Sequence, residues 1–218
     1  MRLILNKRPL RRTLKWARRA LFAGGVSLLG YCMFVAVDAW NFQRRQSANL
    51  DRLLDGAHGA SEGPPPRALS GSLQGAAVAM DGLVGRLEIP RLLFSAAVVE
   101  GVDTTTLRRA VGHIPGTALP GEAGNVGLAG HRDTFFRPLK DLRIKDEIRF
   151  STPRGNFQYE VESLRVVEPD NVGVLASSGD SVLTLVTCYP FYYVGPAPKR
   201  WIVRARQVSA QAVASTVE

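Results

Sequence analysis

Apolar and polar positions divide this chain into three unlike parts. Residues 20–37, ALFAGGVSLLGYCMFVAV, are apolar throughout and carry no charge. A run of that kind, extended by Asp38–Trp40, is long enough to span a bilayer as a helix. Residues 41–55, NFQRRQSANLDRLLD, predict a short polar helix. Residues 56–82 are rich in Gly, Ala, Pro and Ser, contain Pro64-Pro65-Pro66 and show no sustained apolar period, which predicts a linker. From Leu83 the pattern changes to short β-type runs between turn residues: LVGRLEIP, LFSAAVVEG, NVGLAGH, EIRFST, NFQYEVESLRVVEP, SVLTLVTC and RWIVRARQV. Alternation is clearest in Phe157–Glu162, which has one apolar and one polar face. Asp103–Arg109 predicts a capped helical turn and Phe136–Leu142 another. Many short strands with few helices predict an all-β barrel or sandwich. The expected organisation is therefore a tail over 1–19, a transmembrane anchor over 20–40, a stalk and linker over 41–82, and a folded domain over 83–218.

Charge refines the first part and removes one class of function. The net charge is +9, but residues 1–19 hold eight cations and no acid, so residues 41–218 carry only +2. The basicity belongs to the tail, which argues against a nucleic-acid partner. Eight cations before the apolar run, and only Arg44 and Arg45 close behind it, predict a cytoplasmic N-terminus in the membrane with the domain exported. Trp16 and Trp40 flank the run, as interfacial rings do. A cleaved signal peptide is the alternative, and it exports the same domain.

The chain has two cysteines. Cys32 lies in the apolar run and reads as a small packing group. Cys188 then stands in an exported domain with no intrachain disulfide partner, an arrangement that invites oxidation and needs a reason. No CxxC, HxxxH or HExxH spacing occurs, so no metal is expected. A nucleophilic cysteine needs a base or cation beside it and donors for the oxyanion it creates. His131, at the end of an apolar run whose glycines would let a ligand approach the backbone, is the candidate base. His113, in a turn-rich segment, reads as a hydrogen-bonded structural histidine, and His58 as solvated. Arg200, opening a strand, is a candidate donor that keeps its charge.

These residues are specific as an ordered set. TLVTC (184–188) is similar to the TLxTC signature of sortases, and the similarity continues through NVGLAGHRDTFFRPLKDLRIKDEI upstream and YPFYYVGPAPKRWIV downstream. The resemblance covers roughly Leu83 to Val208 and is nearest to class D sortases. It implies an eight-stranded sortase β-barrel with short helices, preceded by the transmembrane helix. It also implies Cys188 as nucleophile, His131 as catalytic histidine and Arg200 as oxyanion arginine. Thr187 would help hold substrate. The aromatics Phe191, Tyr192 and Tyr193, on the loop after Cys188, would either wall a groove for a Leu-Pro type peptide or simply pack the barrel rim. The activity implied is a membrane-anchored cysteine transpeptidase without a cofactor. It would cleave an LPxTG-like motif in secreted proteins and join the new end to an amine acceptor, a cell-wall precursor or a protein. Lys145, where many relatives carry glycine, and Gly127, where they carry a bulkier residue, depart from the pattern. No calcium site is carried over. An exported cysteine peptidase or an L,D-transpeptidase acting on peptidoglycan would use the same Cys–His pair, and a membrane-tethered binding domain would use neither.

Overall fold

A computed structural model of the chain describes residues 7–59, 82–177 and 179–212. Most of the linker, with its proline run, and residues 1–6 of the basic tail lie outside the described residues. The chain separates into two compact units, Met1–Asn41 and Phe42–Glu218.

The first unit is helical. Helix α1 runs Lys7–Gly59 without a break, so the apolar run and the polar segment after it are one helix. No proline or cap interrupts residues 20–55, which explains the continuity. Leu21, Phe22, Leu28, Leu29, Met33 and Phe34 are all exposed. Helix α1 contains a stretch, Leu14–Gln46, long and apolar enough to cross a membrane.

The second unit is a closed barrel of eight strands: β1 (Leu83–Ile89), β2 (Phe94–Glu100), β3 (Val111–His113), β4 (Asn125–Ala129), β5 (Glu147–Thr152), β6 (Gly155–Val167), β7 (Val182–Tyr189) and β8 (Lys199–Ala212). The order around the barrel is β1-β2-β3-β4-β7-β8-β6-β5, and β5 closes on β1. Pairs β2/β3 and β4/β7 are parallel. Closure removes the exposed edges of an open sheet. Alternation does what it predicts: Phe157, Tyr159 and Val161 point into the core with Leu87, Phe150, Leu183, Leu185 and Val203, while Gln158 and Glu160 lie on the outer face.

Two loops carry the short helices read from the sequence. Helix α2 (Thr104–Arg109) is capped by Asp103, whose carboxylate accepts from the Thr105 and Thr106 amides at 2.8 and 3.1 Å. A 3-10 turn spans Arg137–Asp141. Two further 3-10 turns, Pro90–Leu92 and Val172–Leu175, had no clear signal.

One strand departs from the sequence reading. The segment around His113 is β3 rather than a loop. Three residues are too few to show a period. What makes it a strand is tertiary: it is sandwiched between β2 and β4, and Gly112 packs so closely on the Gly101 carbonyl that a Cβ there would stand 2.3 Å from the oxygen. His113 is structural, as expected. It is 2 % exposed, with Nδ1 2.7 Å from Glu100 Oε2 and Nε2 3.0 Å from the Ala118 carbonyl.

The α1 residues from Phe42 onward belong to the second unit and pack within it. Phe42 lies against Leu83, Ala97, Val99 and Ala110. The Gln43 amide donates to the Arg109 carbonyl at 2.6 Å and accepts from the Ala97 amide at 2.7 Å.

Candidate active site

Three strand ends assemble the candidate residues. β7 runs beside β4 in parallel, with Ala129 opposite Val186. The Gly130 amide donates to the Val186 carbonyl at 3.2 Å. His131 therefore leaves β4 at the level where Cys188 stands on β7. On the other side of β7, β8 is antiparallel and places Arg200 directly opposite Cys188. Residues opposite one another in an antiparallel pair share a face. The sheet thus brings His131, Cys188 and Arg200 to one end of β4, β7 and β8, although 57 residues separate the first two in the chain.

The pleat of β7 decides which side chains face outward. Leu183, Leu185 and Thr187 are 0, 0 and 3 % exposed and belong to the barrel interior. Thr184, Val186 and Cys188 take the other face, and Cys188 and Val186 are half-buried. Thr187 is thus on the opposite side of the strand from the thiol. Its hydroxyl donates to the Gly130 carbonyl at 2.7 Å. It ties β7 to the residue just before His131.

Gly130 is required for a different reason from the one its sequence context implied. A Cβ there would lie 2.8 Å from ring atoms of Phe136, which is fully buried. A Cβ on Gly127 would lie 2.9 Å from the Thr117 methyl. The space beside both glycines is taken by the protein's own side chains rather than left for a ligand.

Arg200 Nη1 donates to the carbonyls of Ala197 and Lys199 at 3.2 and 3.0 Å, which leaves Nε and Nη2 to serve an incoming group. Behind the site, Tyr189 stacks on Trp201 at 5.8 Å between centroids, and Phe191 meets both rings edge-on at 6.1 and 6.0 Å. Phe191 also packs on the barrel core, whereas Tyr192 is 74 % exposed. Both sit on the loop after Cys188, which opens with a cis peptide at Tyr189–Pro190.

A groove of about 640 Å³ occupies the same outer face of β7 and β8, beginning one pleat repeat from Arg200. Thr184, Ile202 and Arg204 form its floor, Glu162 and Arg165 of β6 one side, and Asn171, Gly173 and Val174 the other. The sequence reading did not name these residues. Stepping by two from Cys188 and Arg200 would have found those on β7 and β8, but the β6 and loop members depend on strand order. Among the described residues no cluster of three His, Cys, Asp or Glu side chains could hold a metal.

A sortase-domain family model matches residues 87–208, which is more than half of the chain. The chain belongs to the sortase family. It is 39 % identical over 126 residues to sortase D of Bacillus subtilis, an alignment covering 57 % of this chain and 64 % of that one. To sortase SrtE1 of Streptomyces coelicolor it is 37 % identical over 123 residues, covering 48 % and 35 %. It therefore spans less than two thirds of the length of these relatives. Among solved structures, a Clostridium perfringens sortase D5 transpeptidase superposes with a TM-score of 0.59 at 24 % identity, covering 79 % of this chain and 99 % of that one. The sortase E1 of Streptomyces coelicolor, solved with a tripeptide in the active site, superposes with a TM-score of 0.54 at 30 % identity, covering 62 % and 93 %. The eight-stranded sortase barrel expected from the sequence is the fold observed.

Proposed function

We propose that this sortase is a membrane-anchored cysteine transpeptidase acting on an LPxTG-like motif in secreted proteins. The observation that carries the reading is the pairing of Cys188 with Arg200 across β7 and β8, with His131 leaving the neighbouring strand at the same level. The Cys188 sulfur attacks the carbonyl of the motif threonine. The oxyanion that forms takes hydrogen bonds from the free Nε and Nη2 groups of Arg200. His131 holds the proton taken from the thiol and passes it to the leaving amine as the Thr–Gly bond breaks. A thioester remains. An amine from a cell-wall precursor or a protein attacks it, a new amide forms and the thiol is restored. Every bond change is met by groups of the chain and its two substrates, so the scheme uses no cofactor.

The groove beside Arg200 receives the peptide, and Phe191 and Tyr192, on the loop after Cys188, would extend the contact at the Cys188 end beyond the residues that line the groove. Thr187 serves the peptide from beneath, by fixing Gly130 and so the exit of His131. The tripeptide in the active site of the Streptomyces sortase E1 supports a peptide reading of this face. The apolar helix, preceded by the basic tail, would anchor the enzyme with its N-terminus in the cytoplasm and the barrel outside.

The test is a fluorogenic LPxTG-like peptide given to the full-length chain in detergent, with and without an amine. The expected result is slow cleavage that a millimolar-range amine diverts into an amide-joined product seen by mass spectrometry. Cys188→Ala abolishes both, and His131→Ala lowers them by roughly 10²–10⁴-fold, whereas His113→Ala acts through stability alone. Product that stays the free acid with every acceptor offered would make the protein a peptidase. Turnover of peptidoglycan peptides in place of LPxTG-like ones would make it a wall transpeptidase.

A further inference from the structure

Arg132 directly follows His131, and its guanidinium donates to backbone carbonyls. Nη1 donates to the Pro190 carbonyl at 3.0 Å, and Nη2 to the carbonyls of Tyr193 and Gly195 at 2.7 and 2.9 Å. Its carbon lies 5.8 Å from the centroid of the Tyr193 ring. Among the described residues no carboxylate pairs with it, so its donors go to one loop. That loop, between β7 and β8, is the segment that leaves Cys188. Only one backbone bond within it is apparent, the long Tyr193 amide to Pro190 carbonyl contact at 3.4 Å. Val194 is 95 % exposed and Tyr192 74 %, so beyond Phe191, which packs on the core, side-chain burial does not hold the loop.

We propose that Arg132 is the positioning residue that fixes the β7–β8 loop against the segment carrying His131, and so sets the Cys188 end of the peptide site. The geometry fits arginine and no other side chain. Three carbonyls at 190, 193 and 195 converge on a planar fork whose carbon lies over the Tyr193 ring. A lysine keeps the charge but presents a point donor with no planar face. Since Arg132 is one residue from His131, the loop after the nucleophile and the base are held as one body, and a peptide meets that end of its site already in place. The step from loop to peptide site rests on the proposed LPxTG-like substrate; the clamp itself does not.

The experiment therefore has two readouts on the full-length chain in detergent. The first is amide hydrogen exchange over residues 191–195. Arg132→Ala accelerates it by about tenfold or more, because the local opening free energy falls, while exchange in the β7 and β8 core is unchanged. Arg132→Lys lies between the two and remains informative should the alanine variant fold poorly. The second is kinetics with the fluorogenic LPxTG-like peptide. Arg132→Ala raises KM by about tenfold, with kcat and the rate of Cys188 alkylation by a small methanethiosulfonate within about threefold of wild type. Loop exchange unchanged in Arg132→Ala overturns the clamp. Complete recovery of exchange and KM in Arg132→Lys overturns the role of the fork. A wild-type enzyme that ignores the peptide would count against the proposed LPxTG-like substrate while leaving the exchange result to judge the clamp.

Discussion

The packing of Gly130 on Phe136 makes a sharp test of how His131 is placed. Gly130→Ala adds one methyl group 2.8 Å from two atoms of the Phe136 ring. Ordinary carbon contacts begin at about 3.5 Å, so something must move by about 0.7 Å or more. The ring has little freedom: Phe136 is fully buried and packs against Phe94 at 6.4 Å between centroids. The backbone has little more, since the Gly130 amide and carbonyl are both bonded to β7. Overpacking of such a site costs about 1–3 kcal/mol. Part of the strain is relieved by shifting the exit of the strand, and the next residue is His131. A displacement near 1 Å in a reacting group can cost on the order of 10²-fold in rate. The expected result is a urea midpoint lowered in keeping with 1–3 kcal/mol, and a kcat/KM for an LPxTG-like peptide lowered roughly 10–100-fold, with Cys188 alkylation far less affected. Phe136→Leu makes room for the methyl, so the double variant should be more stable and more active than the two single effects added together, with a coupling of about 0.5–3 kcal/mol. Strict additivity, or a fully active and fully stable Gly130→Ala, would refute the account of the strand exit.

Three further outcomes follow from particular contacts. Thr187→Val keeps the shape but strips the Gly130 carbonyl of its buried hydroxyl donor, at a cost of about 1–3 kcal/mol; it should lower the thermal midpoint and kcat together, and Thr187→Ser should recover most of both. Lys145 sits at φ 69, the left-handed region that suits glycine; Lys145→Gly should stabilise by about 0.5–1 kcal/mol, or about 1–4 °C in Tm by calorimetry. Asp146 is 8 % exposed and accepts from Arg91 Nε and Nη2 at 2.5 and 2.6 Å and from the Arg143 amide at 2.6 Å. Its carboxyl is held below the ordinary carboxylate range, chiefly by the Arg91 hydrogen bonds. A depressed folded-state pKa means stability that is complete above the unfolded pKa of about 4 and is lost as the pH falls through the folded value. Urea titrations from pH 7 to pH 2 should show a loss below about pH 4 that shrinks in Asp146→Asn. The variant should also be weaker at pH 7 by about 1–3 kcal/mol, Arg91 being partly solvent-screened.

The sequence alone fixed what is local. Short β-type runs between turn residues marked seven of the eight strands, and alternation showed which face of Phe157–Val161 is buried, because a half-buried strand alternates wherever its partners lie. Asp103 announced its helix, since the cap is made to amides two and three residues on. Cys188 stood out by rarity and compartment, and the family pattern around it named His131 and Arg200. The long apolar helix was legible from composition. What the tertiary structure decided is everything that depends on which strand lies beside which. β3 is a strand only because β2 and β4 flank it. The groove floor was within reach of the pattern, but its β6 side depends on β8 pairing with β6. Thr187 reads as a neighbour of the nucleophile in one dimension; the pleat turns it into the barrel, where its hydroxyl holds Gly130. Arg132 reads as an ordinary surface charge until the fold brings three carbonyls of a loop about sixty residues away onto its guanidinium. A short window of sequence records which face of a segment is buried. It does not record the partner that buries it, because pairing energy comes from distant residues that meet only when the barrel closes.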